Sequence, residues 1–334
     1  MNLPVDILLP ILPTQEARTS VALGKRTEEV GYSGVWVPET AGPDGVSLLA
    51  ALAVQTSRIR LGSGILPIFT RSPVVMAQTV ATLNSLANGC LVLGLGTSSR
   101  GVVEGWHGMS FRDQIPAMRE YCAILRQALH GEKTSIRGRH FSSVGFRLGC
   151  PPPSTTPPIF IAALNPPMAR TAGEIGDGVI LNWVVPERVR ILLAQVDEGC
   201  RRAGRTSRPV VACVVWAAVD ENSIILRRWL KTNISGYMLA MTPYRRAIRE
   251  NGFPAAVRQL EEAHERGDRI GARDALPDEL IEQMVMFGAR DRIENGLRLL
   301  VEAGVDRILI MPVTASKDGA TACLHTIEAL APGA

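Results

Sequence analysis

Short runs of consecutive apolar residues recur along the chain, and after most of them apolar residues continue at helical spacing. Runs apolar on both alternations read as strands buried on both faces. Eight are evident: Val5–Leu9, Gly34–Val37, Ile59–Leu61, Leu91–Leu95, Ile159–Ala162, Val179–Asn182, Val210–Val219 and Arg307–Met311. Helical patterns intervene over Thr14–Val30, Ser47–Thr56, Pro73–Ser85, Phe111–Leu129, Pro166–Ile175, Pro186–Ala203, Ala289–Ala303 and Ala320–Leu330. Prolines open some of them, glycines 31 and 204 stop others, and Ser47 stands where it can cap. Two segments break the rhythm. Residues 131–158 hold SIRGRHF, FRLGC and a proline cluster, a pattern that predicts a hairpin-like excursion. Residues 220–286 are mostly helical and polar, longer than one crossover requires, and predict a helical insertion before the last barrel strand. Repeated strand–helix units require parallel strands with covered faces. Eight of them in 334 residues favour one α/β domain, a (β/α)8 TIM barrel, over an open doubly wound sheet, with the active site at the carboxyl ends of the strands.

Composition narrows the function classes. A net charge of +4 is too slight to argue for nucleic acid, yet would not repel an anionic ligand. The six cysteines form no C-x-x-C pair, and Cys90 and Cys213 fall in apolar runs, so buried free thiols in a reducing cytoplasm are expected. Three prolines and Asp6 interrupt the apolar LPVDILLPILP, so neither a signal peptide nor a membrane span is expected.

The predicted strand ends carry the candidate chemistry. At the fourth, Gly94 and Gly96 let the backbone come close to whatever lies above. Thr97, Ser98 and Ser99 add three hydroxyls, and a loop with Glu104, Trp106 and His107 follows. Other ends supply Glu39–Thr40, Ser63–Gly64–Ile65, Ala162 to Asn165 and Asn182–Trp183. No spacing of histidines or carboxylates suits a metal, and neither G-x-S-x-G nor a phosphate-binding G-x-x-x-x-G-K-[ST] occurs. Small polar strand ends without an ordinary catalytic set point to a bound redox cofactor.

Several segments together resemble one family. VWVPET, SRIRLGSGILPIFTRSPVVMAQTVATL, LVLGLGTSS, VEGWHG, IFIAALNPPMARTAGEIGDGVILNW and FGARDRIENGLRLLVEAGVDRILIMP are similar to the luciferase-like monooxygenase superfamily. Within it they look like coenzyme F420-dependent oxidoreductases, including methylenetetrahydromethanopterin reductases and F420-dependent glucose-6-phosphate dehydrogenases. The likeness spans Val5 to about Leu330, and VEGWHG after LGLGTSS favours F420 over FMN. It implies a homodimeric barrel with the deazaflavin over the strand ends and a non-prolyl cis peptide at Gly64–Ile65, beside Ser63. It further places Glu39 near the pyrimidine edge, Thr97 and Ser98 beside the ring and ribityl chain, and Asn182 at the ligand. Leu164, Asn165, Pro167 and Met168 match the turn that grips the phosphate, with Asn165 and Met168 as the donors.

Departures bear on the substrate. Thr40 and Ser99 stand where the sugar-phosphate dehydrogenases keep a histidine and a glutamate, and Asn182 and Val185 replace a threonine and a lysine. Glucose 6-phosphate is therefore not expected. The resemblance implies F420H2-dependent reduction of a C=C, C=N or C=O bond in a small-molecule or natural-product substrate. His107 and Glu104 are candidate proton donors, and Trp106 and Trp183 candidate walls of the pocket with Thr40 and Ser99. An FMN-dependent monooxygenase and a non-catalytic flavin-binding barrel are the alternatives.

Overall fold

The computed structural model describes residues 4–12, 16–220 and 223–333. Strands β1 (Val5–Leu8), β2 (Gly34–Val37), β3 (Arg60–Ser63), β4 (Leu66–Pro67), β5 (Leu91–Gly96), β6 (Ser135–Arg137), β7 (Ser142–Val144) and β8 (Ile159–Ala162) are followed by β9 (Gly178–Asn182), β10 (Val210–Val219), β11 (Val285–Gly288) and β12 (Arg307–Pro312). Parallel pairing runs β1–β2–β3–β5–β8–β9–β10–β12 and returns to β1, which closes an eight-stranded barrel. All eight predicted strands are its staves. Helices α1 (Ala17–Glu29), α2 (Gly45–Gln55), α3 (Pro73–Leu86), α4 (Gln114–Leu129), α5 (Pro166–Ile175) and α6 (Pro186–Arg202) cover the outside. Between β10 and β11 stand α7 (Ser223–Ala240), α8 (Thr242–Glu250), α9 (Pro254–Glu265), α10 (Arg269–Asp274) and α11 (Asp278–Met284). The chain then runs through α12 (Arg290–Glu302), β12 and α13 (Gly319–Ala329). β6 and β7 pair antiparallel on their own.

Alternation along each strand separates two cores. Ile7, Val35, Leu93, Ile161, Leu181 and Ile310 point outward and pack under the helices. Leu8, Trp36, Val92, Phe160, Ile180, Val214 and Leu309 point inward, in one cluster with the buried faces of the insertion. Inside, bulk is matched by its absence. Trp36 lies opposite Gly62 in register, and Phe160 opposite Gly94 and Gly178. A Cβ at Gly62 would fall 2.3 Å from the Trp36 ring, and one at Gly178 2.4 Å from Phe160. The two rings meet at 5.7 Å.

At the other end of the barrel Asp6 is fully buried. It accepts hydrogen bonds from Trp36 Nε1 at 2.9 Å, Ser33 Oγ at 2.7 Å and Arg307 Nη1 at 2.9 Å. A buried carboxylate is tolerable only with such partners.

Several local expectations change. β5 runs one residue past the predicted Leu95, and Gly94 and Gly96 face the crowded interior, where a side chain has no room. The cap of α2 is Asp44, whose side chain accepts from Ser47 N–H at 2.7 Å, so the helix begins earlier than Ser47 implied. α4 starts at Gln114 instead of Phe111, after Asp113 in a left-handed conformation. Residues 101–106, read as loop, form a π-helical turn. Cys90 is exposed in the turn before β5, whereas Cys213 is buried and its thiol is pushed up to about 12 by desolvation. Thr14 lies outside the described residues. Among the described residues no helix is long and apolar enough to cross a membrane.

Replacing Asp6 with alanine leaves Arg307 and Trp36 Nε1 without their partner. The expected loss is about 3 kcal/mol of unfolding free energy. Chemical denaturation checks this, and a change under about 1 kcal/mol would show that the buried carboxylate is dispensable.

Candidate active site

The carboxyl ends of the staves form a mouth with two unlike halves. On the β3–β5–β8 side the topmost inward positions are Gly64, Gly96 and Ala162, all small. A Cβ at Gly96 would lie 2.7 Å from Ile65 Cδ1 and 3.5 Å from Ala162 Cβ, so this half is a close-packed, nearly flat floor. The Gly64–Ile65 peptide is cis, as the family resemblance implied. Beneath it lie Leu8 and Trp36, the nearest atoms to a Cβ at Gly64. Ser63 is fully buried, and its hydroxyl joins β3 to β5 through Gly94 N–H and O, both at 2.8 Å. That hydroxyl is spent on the fold and is not offered to a ligand.

One edge of the floor is charged. Glu39, just after β2, binds Arg71 Nη1 through Oε1 at 2.6 Å, and Arg71 Nη2 binds Asp44 at 2.7 Å. The Glu39 hydrogen bond raises the Arg71 pKa above its ordinary value despite desolvation. Glu39 Oε2 is buried without a partner. Thr40 beside it is exposed.

The rim after β5 is built on unusual backbone. Ser98 has φ +60°, Ser99 is buried, and the π-turn Gly101–Trp106 follows. Such turns are rare and concentrate at functional sites. Thr97 and Ser98 are half-buried at the rim, while Trp106 and His107 are exposed. Glu104 is held by Arg100 at 2.8 Å and by Phe111 N–H at 3.2 Å. The Phe111 N–H first, and Arg100 after it, lower its pKa, so it is anionic at neutral pH and ill-suited to donate a proton.

At the β8–α5 turn Pro166 and Pro167 have no N–H, and Met168 N–H is taken by Asn165 Oδ1 at 3.0 Å. Met168 is therefore not the anion donor expected of it. The backbone N–H groups of Leu164 and Asn165 form no hydrogen bond within the described chain. Arg188 stands beside them, buried, with Nη2 3.4 Å from Leu164 O, and forms an ion pair with Glu250 of α8.

Aromatic residues make the other half. Asn182 tops the inward column of β9 and donates Nδ2 to the Tyr244 hydroxyl at 2.9 Å. Trp183, with φ +52°, packs on Trp216 at 5.2 Å, Tyr237 at 5.2 Å and Tyr244 at 4.8 Å. Asn251 donates to Trp183 O at 3.1 Å. Asn182 Oδ1 and Trp183 Nε1 are buried without partners. Trp106 takes no part in this cluster of rings. Among the described residues no group of three side chains suits a metal. The large groove lined by Phe253, Gln259 and Gln283 contains none of these strand-end residues.

The family model for luciferase-like monooxygenases matches residues 4–307. The chain belongs to the luciferase-like monooxygenase family. A 5,10-methylenetetrahydromethanopterin reductase of Archaeoglobus fulgidus is 28% identical over 291 residues, 85% of this chain and 86% of that one. Two solved structures each have a TM-score of 0.79 and cover 98% of both chains. One is a coenzyme F420-dependent tetrahydromethanopterin reductase from Methanopyrus kandleri, 21% identical, and the other an F420-dependent secondary alcohol dehydrogenase with an F420–acetone adduct, 18% identical. They share this luciferase-like fold.

Arg71, Arg188, Trp216, Tyr237, Tyr244 and Asn251 were not foreseen. Arg71 stands inside the quoted ILPIFTRSP segment, but nothing in that segment names its partners. The others come from the insertion, β10 or α6, far in sequence from the residues they meet.

Double-mutant cycles test the charged edge. Glu39 is the more buried of the two carboxylates, at 14% side-chain exposure against 47% for Asp44. Coupling of Arg71 to Glu39 is expected at about 1–3 kcal/mol, and to Asp44 below about 1 kcal/mol. Equal couplings would contradict this assignment.

Proposed function

We propose that this protein is an F420-dependent oxidoreductase acting as an F420H2-dependent reductase of a C=C, C=N or C=O bond. The observation that carries the reading is the small-residue floor above the cis Gly64–Ile65 peptide. The names of the relatives support F420 over FMN. The bound deazaflavin supplies a hydride at C5, chemistry that the protein side chains cannot provide.

The chain's own part is to seat and orient it. Gly64, Gly96 and Ala162 leave room for a planar ring. Glu39 Oε2, steadied by Arg71, is free to accept a hydrogen bond from the ring's polar edge. Thr97 and Ser98 border the rim. The Leu164 and Asn165 N–H groups, with Arg188 close by, suit an anionic group at the α5 end. Hydride addition to the carbon of such a bond also takes a proton at its other atom, and Glu104, an ion-paired anion, is not its source.

A fluorescence titration of the purified protein with F420 and, separately, with FMN tests the reading. Saturable F420 binding with negligible FMN binding is expected. Gly96→Val, which fills the floor, is expected to weaken F420 binding at least tenfold while circular dichroism stays unchanged. FMN binding without F420 binding would refute the cofactor assignment and direct the search to oxygen-dependent reactions.

A further inference from the structure

The second half of the mouth is aromatic. Asn182 tops the inward column of β9, and Trp216 stands in that of β10, two residues beyond Val214, which pairs with Asn182. Tyr237 and Tyr244 descend from the insertion and are only partly buried, packed against the same interior cluster as Ile65 and Ala162 of the floor. Glycine and alanine thus make one side of the mouth and aromatic rings the other.

The hydroxyl of Tyr244 is arranged for proton transfer. Its oxygen accepts from Asn182 Nδ2 at 2.9 Å and is hydrogen-bonded to the Tyr237 hydroxyl. With the Asn182 donor directed into the oxygen, the Tyr244 proton is left to point elsewhere. That donor also stabilises the phenolate that forms when the proton leaves. Burial first of all, opposed by the Asn182 and Tyr237 hydrogen bonds, raises the Tyr244 pKa, so the group is protonated at neutral pH. Next to it, Asn182 Oδ1 and Trp183 Nε1 offer one acceptor and one donor, both buried and unpaired.

We propose that Tyr244 is the proton donor of the reduction and that the Trp183, Trp216, Tyr237 and Tyr244 rings receive a planar, conjugated ketone; this rests on the hydride-transfer reading above. The step balances as follows. The carbonyl carbon gains a C–H bond with the electron pair of the hydride, the C=O π bond breaks, and the oxygen takes the Tyr244 proton to become an alcohol. Tyr237 passes its own proton to the phenolate and is reprotonated from solvent. Bound F420H2 would supply the hydride and, with it, one proton to solvent, which balances the proton that Tyr237 takes up. Stacking against electron-rich rings favours an extended conjugated substrate over a small aliphatic one.

The probe is 2-acetonaphthone, with acetone as its small counterpart. Titrated into the protein without cofactor, 2-acetonaphthone is expected to quench tryptophan fluorescence saturably, acetone not, and Trp216→Ala to weaken the binding at least tenfold. Tyr244→Phe keeps the ring and removes the proton. It is expected to bind 2-acetonaphthone and F420 within about twofold of wild type, while turnover of F420H2 with the ketone falls on the order of a hundredfold. Tyr237→Phe is expected to fall less, because Asn182 still supports the oxygen. Retained turnover in Tyr244→Phe, or wild-type turnover with acetone but not with 2-acetonaphthone, would overturn the proposal. So would unchanged ketone affinity in Trp216→Ala. If wild type fails to bind F420, the cofactor reading fails and the donor role with it; the cofactor-free titration still decides whether the rings bind the ketone.

Discussion

A single buried carboxylate sets the position of most of what lies above it. Asp6 fixes the indole of Trp36 through Nε1 and is itself held by Arg307 and Ser33. Trp36 fills the barrel because Gly62 opposite leaves the volume for it. The cis Gly64–Ile65 peptide then rests over Leu8 and Trp36. An ion pair at one end of the barrel is thereby linked, ring by ring, to the floor at the other. Dense interiors transmit position in this way, since no atom in the column can shift alone.

Above that column the molecule divides labour between short and long elements. Small residues on β3, β5 and β8 make a surface that a flat ligand can approach closely. β10 exceeds the other staves in length, pairs in turn with β9, β12 and β11, and holds Trp216 between Met311 of β12 and Val285 of β11. The insertion returns along β11 and brings two tyrosines to the same side. A floor made by deletion of side chains and a wall made by addition of rings are complementary solutions to holding two planar molecules.

The barrel was legible because its signal is local. Each of the eight strands is a continuous apolar run, and a parallel sheet covered on both faces asks for nothing else. Why Gly94 and Gly96 are glycine was not legible, since a glycine required by an opposing residue has the same letter as one that ends an element. The floor was legible for the same reason as the strands, as small residues at predicted strand ends. Arg71, Asn182–Tyr244 and Arg188–Glu250 were not, because they join positions 32, 62 and 62 residues apart. Ser63 and Met168 show the converse: both stood at the right place by motif, yet the structure uses their polar atoms internally. Candidate residues can be found from sequence, but whether a donor is still free is a property of the fold.

The insertion is fastened asymmetrically. Tyr244 to Asn182, Asn251 to the Trp183 carbonyl and Glu250 to Arg188 all tie α8 or its end to β9 and the start of α6. On the opposite margin Ala240, the last residue of α7, lies near the π-turn, where a Cβ added at Gly101 would stand 3.8 Å from its carbonyl oxygen. The insertion is thus hung from one margin of the mouth, and the bonds that set Tyr244 on Asn182 are the same ones that position α8 as a whole.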